Sequence, residues 1–158
     1  MPASLVSEAM RRDVGVWGDE ETAPAVTLTD IRRWAMATWY PETPPKLHWD
    51  EAHAATTRWG GIIAPPGFNP FAWPLERTPP RWMAYGAGLV GLNGGQVETY
   101  GAPIRPGDVI RARSRLTEFF EREGRFGLMV YYYIELEWTN QDAEFVRRRL
   151  STMIRYRA

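Results

Sequence analysis

The stretch from residue 97 onward constrains the fold most. Residues 97–100, 109–117, 126–138 and 144–156 are rich in β-branched and aromatic side chains and are separated by Gly or Asn/Asp turn residues, the signature of strands. Glu123-Gly124-Arg125 and Asn140-Gln141-Asp142 are short enough for hairpin turns, so the last three runs form an antiparallel meander. In the final run Leu150, Thr152, Ile154 and Tyr156 take one face, and Arg149, Ser151, Met153 and Arg155 the other. The same alternation prevents Tyr131-Tyr132-Tyr133 from being one continuous aromatic platform.

Helical signals precede the strands. Thr27 can cap a helix with Asp30 three residues later, and Ile31, Trp34, Ala35 and Thr38 then share a face. Pro41, Pro44 and Pro45 stop that helix by removing donors and pushing the residues before them to extended geometry. Asp50 is the natural N-cap of a short helix over residues 51–58, which Gly60-Gly61 ends. From 65 to 82, prolines at 65, 66, 70, 74, 79 and 80 stand among Phe68, Phe71, Trp73 and Trp82. That mixture defeats regular structure yet is too apolar for a solvated linker, and predicts a packed lid or groove wall. Helices followed by antiparallel strands predict an α+β domain, with one sheet curled around apolar helical material.

With 158 residues, 44% of them hydrophobic, the chain suffices for one core and is too short for two ordinary domains. A single domain over residues 1–158 is expected, with 1–23 as an N-terminal extension. The 19 basic and 19 acidic residues cancel, so no global field draws the chain to nucleic acid or an anionic membrane. There are no cysteines, which excludes thiol nucleophiles and disulfides and is compatible with a reducing compartment. Residues 1–18 carry Glu8, Arg11, Arg12 and Asp13 where a signal peptide needs an apolar run, so a cytoplasmic location is expected.

No nucleophile elbow, phosphate-cradling loop, His-Glu metal helix or dinucleotide fingerprint is present, and there are only two histidines. Two blocks of sequence carry a resemblance. Leu47-His48-Trp49-Asp50 is followed by Arg58-Trp59-Gly60-Gly61-Ile62-Ile63-Ala64-Pro65-Pro66-Gly67-Phe68. Asn93-Gly94-Gly95-Gln96-Val97-Glu98-Thr99-Tyr100, Pro103-Ile104-Arg105-Pro106-Gly107-Asp108 and Thr139-Asn140-Gln141-Asp142 then come in order. Together they resemble the MaoC-like acyl dehydratase family, over roughly residues 24–156. The resemblance implies a hot-dog fold, an antiparallel sheet wrapped around a central helix. It also implies reversible addition of water to a trans-2-enoyl thioester carried by coenzyme A or an acyl carrier, with no cofactor.

In that family an Asp and a His five residues apart handle the water, and backbone N–H groups polarise the thioester carbonyl. His48 takes the His position, but Thr43 stands where the Asp belongs, which leaves Glu42 as the nearest carboxylate. Taken as a residue alone, His48 is equally a loop histidine bonding a backbone carbonyl, and Glu42 equally a solvated loop residue. His53 has no motif support. Acyl and thioester contacts are implied at Gly61, Ile62, Ala64, Pro66, Gly67, Phe68 and Trp73. Pro66 lies where active members use a glycine N–H; proline has none, and Gly67 is the substitute one residue on.

The Ala-Pro-Pro and Asn-Gly-Gly-Gln forms look most like the N-terminal half of double hot-dog dehydratases. They imply a dehydratase subunit working as a homodimer or with a separate catalytic hot-dog subunit. A non-catalytic acyl-binding or CoA-binding subunit and a hot-dog thioesterase are the alternatives. Arg147-Arg148-Arg149 suits either phosphate recognition or ion pairing on a strand. Two His and no Cys make no zinc site, so any hydration activity should survive EDTA; loss that Zn²⁺ restores would contradict this.

Overall fold

A computed structural model describes residues 3–72 and 79–158. Three α-helices, α1 (Glu8–Asp13), α2 (Leu28–Trp39) and α3 (Glu51–Ala55), precede most of a five-stranded sheet. Its strands are β1 (Glu21–Thr22), β2 (Val90–Tyr100), β3 (Arg111–Gly124), β4 (Gly127–Thr139) and β5 (Phe145–Tyr156). They pair antiparallel in the order β1-β3-β4-β5-β2. The meander is present, with β4 at its centre, and the architecture is the expected α+β one.

The local signals act as expected. Thr27 accepts from the Asp30 N–H and the Asp30 carboxylate accepts from the Thr27 N–H, a complete capping box for α2. Asp50 caps α3 by accepting from the His53 N–H, although the α-helix proper ends at Ala55 rather than 58. Alternate residues of β4 then build the core. Val130, Tyr132, Ile134 and Trp138 are buried on its inner face, while Tyr131 stacks on Phe120 on the outer face at 5.0 Å.

Two clusters pack on that inner face. The first joins Ile31 of α2, Ala54 of α3, Phe68 and Phe71 to Ile110, Ala112, Trp138 and Val146. The second joins Leu5, Met10 and Tyr85 to Leu116, Val130, Tyr132 and Ile134. Met10 and Ile31 are fully buried, each contributing roughly 1.5–3 kcal/mol of transfer free energy.

The N-terminal residues pack into this core: Leu5 and Met10 are core residues, β1 pairs with β3, and buried Asp13 accepts from the Tyr85 hydroxyl at 2.9 Å. The sheet packs on α2 through Ile31, and the proline-rich stretch adds 3-10 turns at Pro70–Ala72 and Arg81–Ala84, because proline has no N–H for an α-helical ladder. No helix among the described residues is long and apolar enough to cross a membrane.

β2 begins seven residues before the expected strand and closes one side of the sheet, pairing only with β5. Its free edge is unprotected: Val97 is 69% exposed, and Val90, Leu92 and Tyr100 are exposed as well. Sedimentation at micromolar concentration should therefore give a mass above that of one chain, and Val97→Lys should shift it towards single chains. A monomeric wild-type protein would contradict this.

Candidate functional site

His48 is positioned from several directions at once. After α2 the proline-bent loop is clamped by Trp49, whose Nε1–H donates to the Pro44 carbonyl at 2.9 Å. Arg32 of α2 donates from Nε to the Trp49 carbonyl at 3.0 Å and pairs with Glu51 at 2.9 Å. The 3-10 turn Lys46–His48 then buries the imidazole, 5% exposed, with the Trp39 ring 5.7 Å away. Its Nδ1 lies 2.8 Å from the Ile63 carbonyl oxygen. A carbonyl can only accept, so Nδ1 carries the proton, and the neutral ring keeps its lone pair on Nε2.

Glu42 is differently placed. It is exposed, its N–H donates to the Trp39 carbonyl, and its carboxylate makes no bond to His48 or to any other described residue. The candidate acid and base are thus not joined within this chain.

Ile63, whose carbonyl fixes His48, also begins the wall of a cavity of about 190 Å³. Residues 63–68 form one side, residues 100–104 the other, and Trp138, Val146 and Arg147 complete it. The Ala64 N–H donates to the Ile104 carbonyl at 2.8 Å and ties the two sides together. Within the wall the Phe68 N–H donates to the Pro65 carbonyl at 3.0 Å, with Pro66 and Gly67 between them and Gly67 at φ 85°. This is a turn that takes proline second and needs glycine third. Neither proline has an N–H and that of Phe68 is used, so Gly67 has the wall's one uncommitted donor among residues 65–68.

Of the residues expected to contact substrate, Ala64, Pro66, Gly67 and Phe68 line this slot. Ile62 is buried in the first core cluster, and Gly61 faces the Arg105 side chain instead. Trp73 lies outside the described residues. A second, larger cavity of about 640 Å³ lies along the inner face of the sheet, between Ile134, Leu136 and Met153 on one side and Asp13, Trp82 and Tyr85 on the other. Trp138 borders both cavities.

The far side of the slot brings together an arginine run and a motif block that the sequence offered separately. Arg147 is 4% exposed, lies 4.8 Å over the Trp138 ring, and pairs through Nη2 with Glu98 of β2. Glu98 also accepts from Arg149 at 2.6 Å and from the Tyr100 hydroxyl. Arg148, on the opposite face of β5, pairs with Glu135 at 2.9 Å and Glu137 at 3.4 Å. The arginine run is therefore an ion-pairing element, with Glu98 shared by Arg147 and Arg149 and two carboxylates beside Arg148. Burial pushes the Glu98 carboxyl up, but the hydrogen bonds from Tyr100, Arg147 and Arg149 outweigh it and hold the pKa at about 2.

Comparison with known proteins bears on the fold. The family model of the FAS1-like dehydratase domain region matches residues 12–149. No curated protein matches the chain. The structure of the ChsH1-ChsH2 complex from Mycobacterium tuberculosis is similar at TM-score 0.78 and 18% identity, over 95% of this chain and 95% of that one. A MaoC-like dehydratase is similar at TM-score 0.70 and 22% identity, over 94% of this chain but 44% of its own, so this chain spans less than half of it. A C-terminally truncated HadBC complex from Mycobacterium tuberculosis, described as a 3R-hydroxyacyl-ACP dehydratase, is similar at TM-score 0.57 and 19% identity, over 85% and 95% of the two chains.

The architecture is that of a hot-dog protein. The chain belongs to the family of the FAS1-like dehydratase domain region.

The cluster around Glu98 has a measurable consequence. A folded-state pKa of about 2, against an ordinary value of 4.5, gives stability that is complete above about pH 4.5 and is lost as the pH falls towards 2. The thermal midpoint of the wild type should fall between about pH 5 and about pH 2.5 more steeply than that of Glu98→Gln, which starts lower. Equal slopes would show that Glu98 does not couple to folding.

Proposed function

We propose that the chain is one hot-dog subunit of an enoyl-thioester hydratase or 3-hydroxyacyl dehydratase that works with a second hot-dog subunit. The observation that carries this reading is the slot itself: a buried imidazole of defined tautomer behind one wall, and an uncommitted Gly67 N–H on that wall. The ChsH1-ChsH2 and HadBC complexes are each built from two different subunits by their names, and both resemble this chain in fold.

In the proposed reaction the oxygen of water bonds to the β-carbon of the enoyl thioester and gives up its proton to a base. The electron pair of the double bond moves towards the thioester oxygen, then returns to the α-carbon as that carbon takes up a proton. His48 Nε2 is the group here with a free lone pair for the water proton, and the Gly67 N–H is a donor for the thioester oxygen. Ala64, Pro66 and Phe68 hold the thioester end, and the larger cavity receives the acyl group. No metal is required, and coenzyme A or an acyl carrier brings the substrate.

The carboxylate partner is assigned to the second subunit, because Glu42 is exposed and makes no bond to His48. Crotonyl-CoA hydration, measured with the chain alone and with a hot-dog subunit that carries an Asp-His pair, tests this division. The pair should be active, His48→Ala should lower its turnover by about 10²- to 10⁴-fold, and Glu42→Gln should change it only a few-fold. A collapse in Glu42→Gln would return the acid to this chain. Full activity of the pair with His48→Ala would make this an acyl-binding subunit whose partner does all the chemistry.

A further inference from the structure

The larger cavity carries one charge that the function above does not use. On the inner face of β5, Arg147 and Arg149 donate to the same oxygen of Glu98, the first through Nη2 and the second through Nε at 2.6 Å. Two guanidinium groups on one carboxylate leave a net positive charge. Arg147 is buried, whereas the Arg149 side chain is 32% exposed and lines the larger cavity of about 640 Å³. Its Nε is spent on Glu98, but Nη1 and Nη2 meet no acceptor among the described residues. The spare charge therefore sits within reach of whatever enters the cavity, at the end of a fork that matches two oxygens of an oxyanion.

Two neutral donors border the same cavity. Ser151 follows Arg149 on the inner face of β5, and its hydroxyl bonds nothing among the described residues. Asn69 uses its Oδ1 to accept from the Phe71 N–H at 3.0 Å, which leaves its Nδ2 group for another partner. The acidic residues of the cavity lie apart from Arg149. Asp13 is answered by Arg12 and the Tyr85 hydroxyl, and residues 19–21 stand at β1, with β3 and β4 between them and β5.

We infer that Arg149, with Ser151 and Asn69, forms an oxyanion subsite of the larger cavity that reads a negative group on the substrate. This deepens the functional reading given above and rests on it. Because that cavity is the one assigned to the acyl group, the group read is a carboxylate at the far end of the acyl chain. A phosphate of the carrier has the same chemistry and is the other source. Glu98 does not oppose such a ligand, since both arginines already answer it, and one added anion takes the cluster from one net positive charge to none. A hydrocarbon end would instead strip water from the fork and leave its donors unmet.

Saturated acyl thioesters cannot be hydrated, so binding can be read apart from turnover. Glutaryl-CoA and adipoyl-CoA are compared by calorimetry with their branched alkanoyl isosteres, in which an isopropyl end replaces the carboxylate. The wild-type protein, in the assembly it forms, should bind at least one carboxylate ligand about tenfold or more tightly than its isostere. Arg149→Met should lose that preference and bind the isostere as the wild type does, and Arg147 still balances Glu98 in that variant. Ser151→Ala removes only a hydroxyl and should lose a few-fold of the preference. If Arg149→Met instead weakens every coenzyme A ligand alike, and that loss disappears with the matching pantetheine thioesters, which carry no phosphate, the subsite stands and reads the carrier. No carboxylate preference and no phosphate-dependent loss together overturn the inference, as does a preference that survives Arg149→Met. A loss in Arg149→Met that is equal for all ligands, with and without phosphate, assigns Arg149 to packing and overturns it too. If the wild type binds none of these ligands, the functional reading falls first, and that result is distinct from the others.

Discussion

Proline has no N–H to give, and two consecutive prolines at 65 and 66 leave the chain with few ways to turn. Gly67 provides one by taking φ 85°, which lets the Phe68 N–H close back on the Pro65 carbonyl at 3.0 Å. Much of the slot depends on that reversal. It points the chain so that Phe68 enters the first core cluster, where it meets Trp34 edge-on at 5.5 Å, while Ile63 is left behind to accept from His48. It also leaves the Gly67 N–H free. A side chain at residue 67 would strain the backbone, so the turn and the donor cannot be varied independently.

The sheet provides the opposite side by a different device. Arg147, Arg148 and Arg149 are consecutive, and strand alternation sends the first and third to one face and the second to the other. Each face meets its own carboxylates: Glu98 from β2 on the inner side, Glu135 and Glu137 from β4 on the outer. The outer pairs are half-exposed at their arginine and contribute little each. The inner cluster is centred on buried Arg147 and a largely covered Glu98, and its contribution is of another kind. Removing one partner would strand a charge, so it fixes the register of β2 against β5 more than it adds net stability.

How much of this was legible in the sequence depended on how local the cause was. The capping box at Thr27 and Asp30, the cap at Asp50 and the meander of the last three strands rest on neighbours a few residues apart, and each was visible beforehand. The start of β2 was not, because Gly91, Gly94 and Gly95 look like breakers. One of them is required by a residue far along the chain: a Cβ at Gly94 would fall 2.7 Å from Thr152, whereas one at Gly91 would meet only the movable end of the Arg155 side chain. The N-terminal residues were set apart for the same reason, since nothing near Leu5 or Met10 announces that Leu116 and Val130 will cover them. In the site, Pro66 and Gly67 came from a motif, whereas Glu98, Tyr100 and Arg147 meet across 49 residues of sequence, and only the sheet register brings them together.

The placement of His48 and of Glu98 shows a division of labour between backbone and sheet edge. His48 is oriented by a carbonyl, which fixes its tautomer but adds no negative charge beside the ring. A carboxylate in that place would also have raised the imidazole's affinity for a proton. An imidazole held this way has Nε2 uncommitted, and no carboxylate of the described residues bonds it. The negative charge available near the slot is held by Glu98, and its three donors commit it to folding. On the function proposed above, the carboxylate that accompanies the imidazole comes from the second subunit. The free edge of β2 is continuous with the Tyr100 to Ile104 wall, so a subunit docked along that edge would stand directly beside the slot.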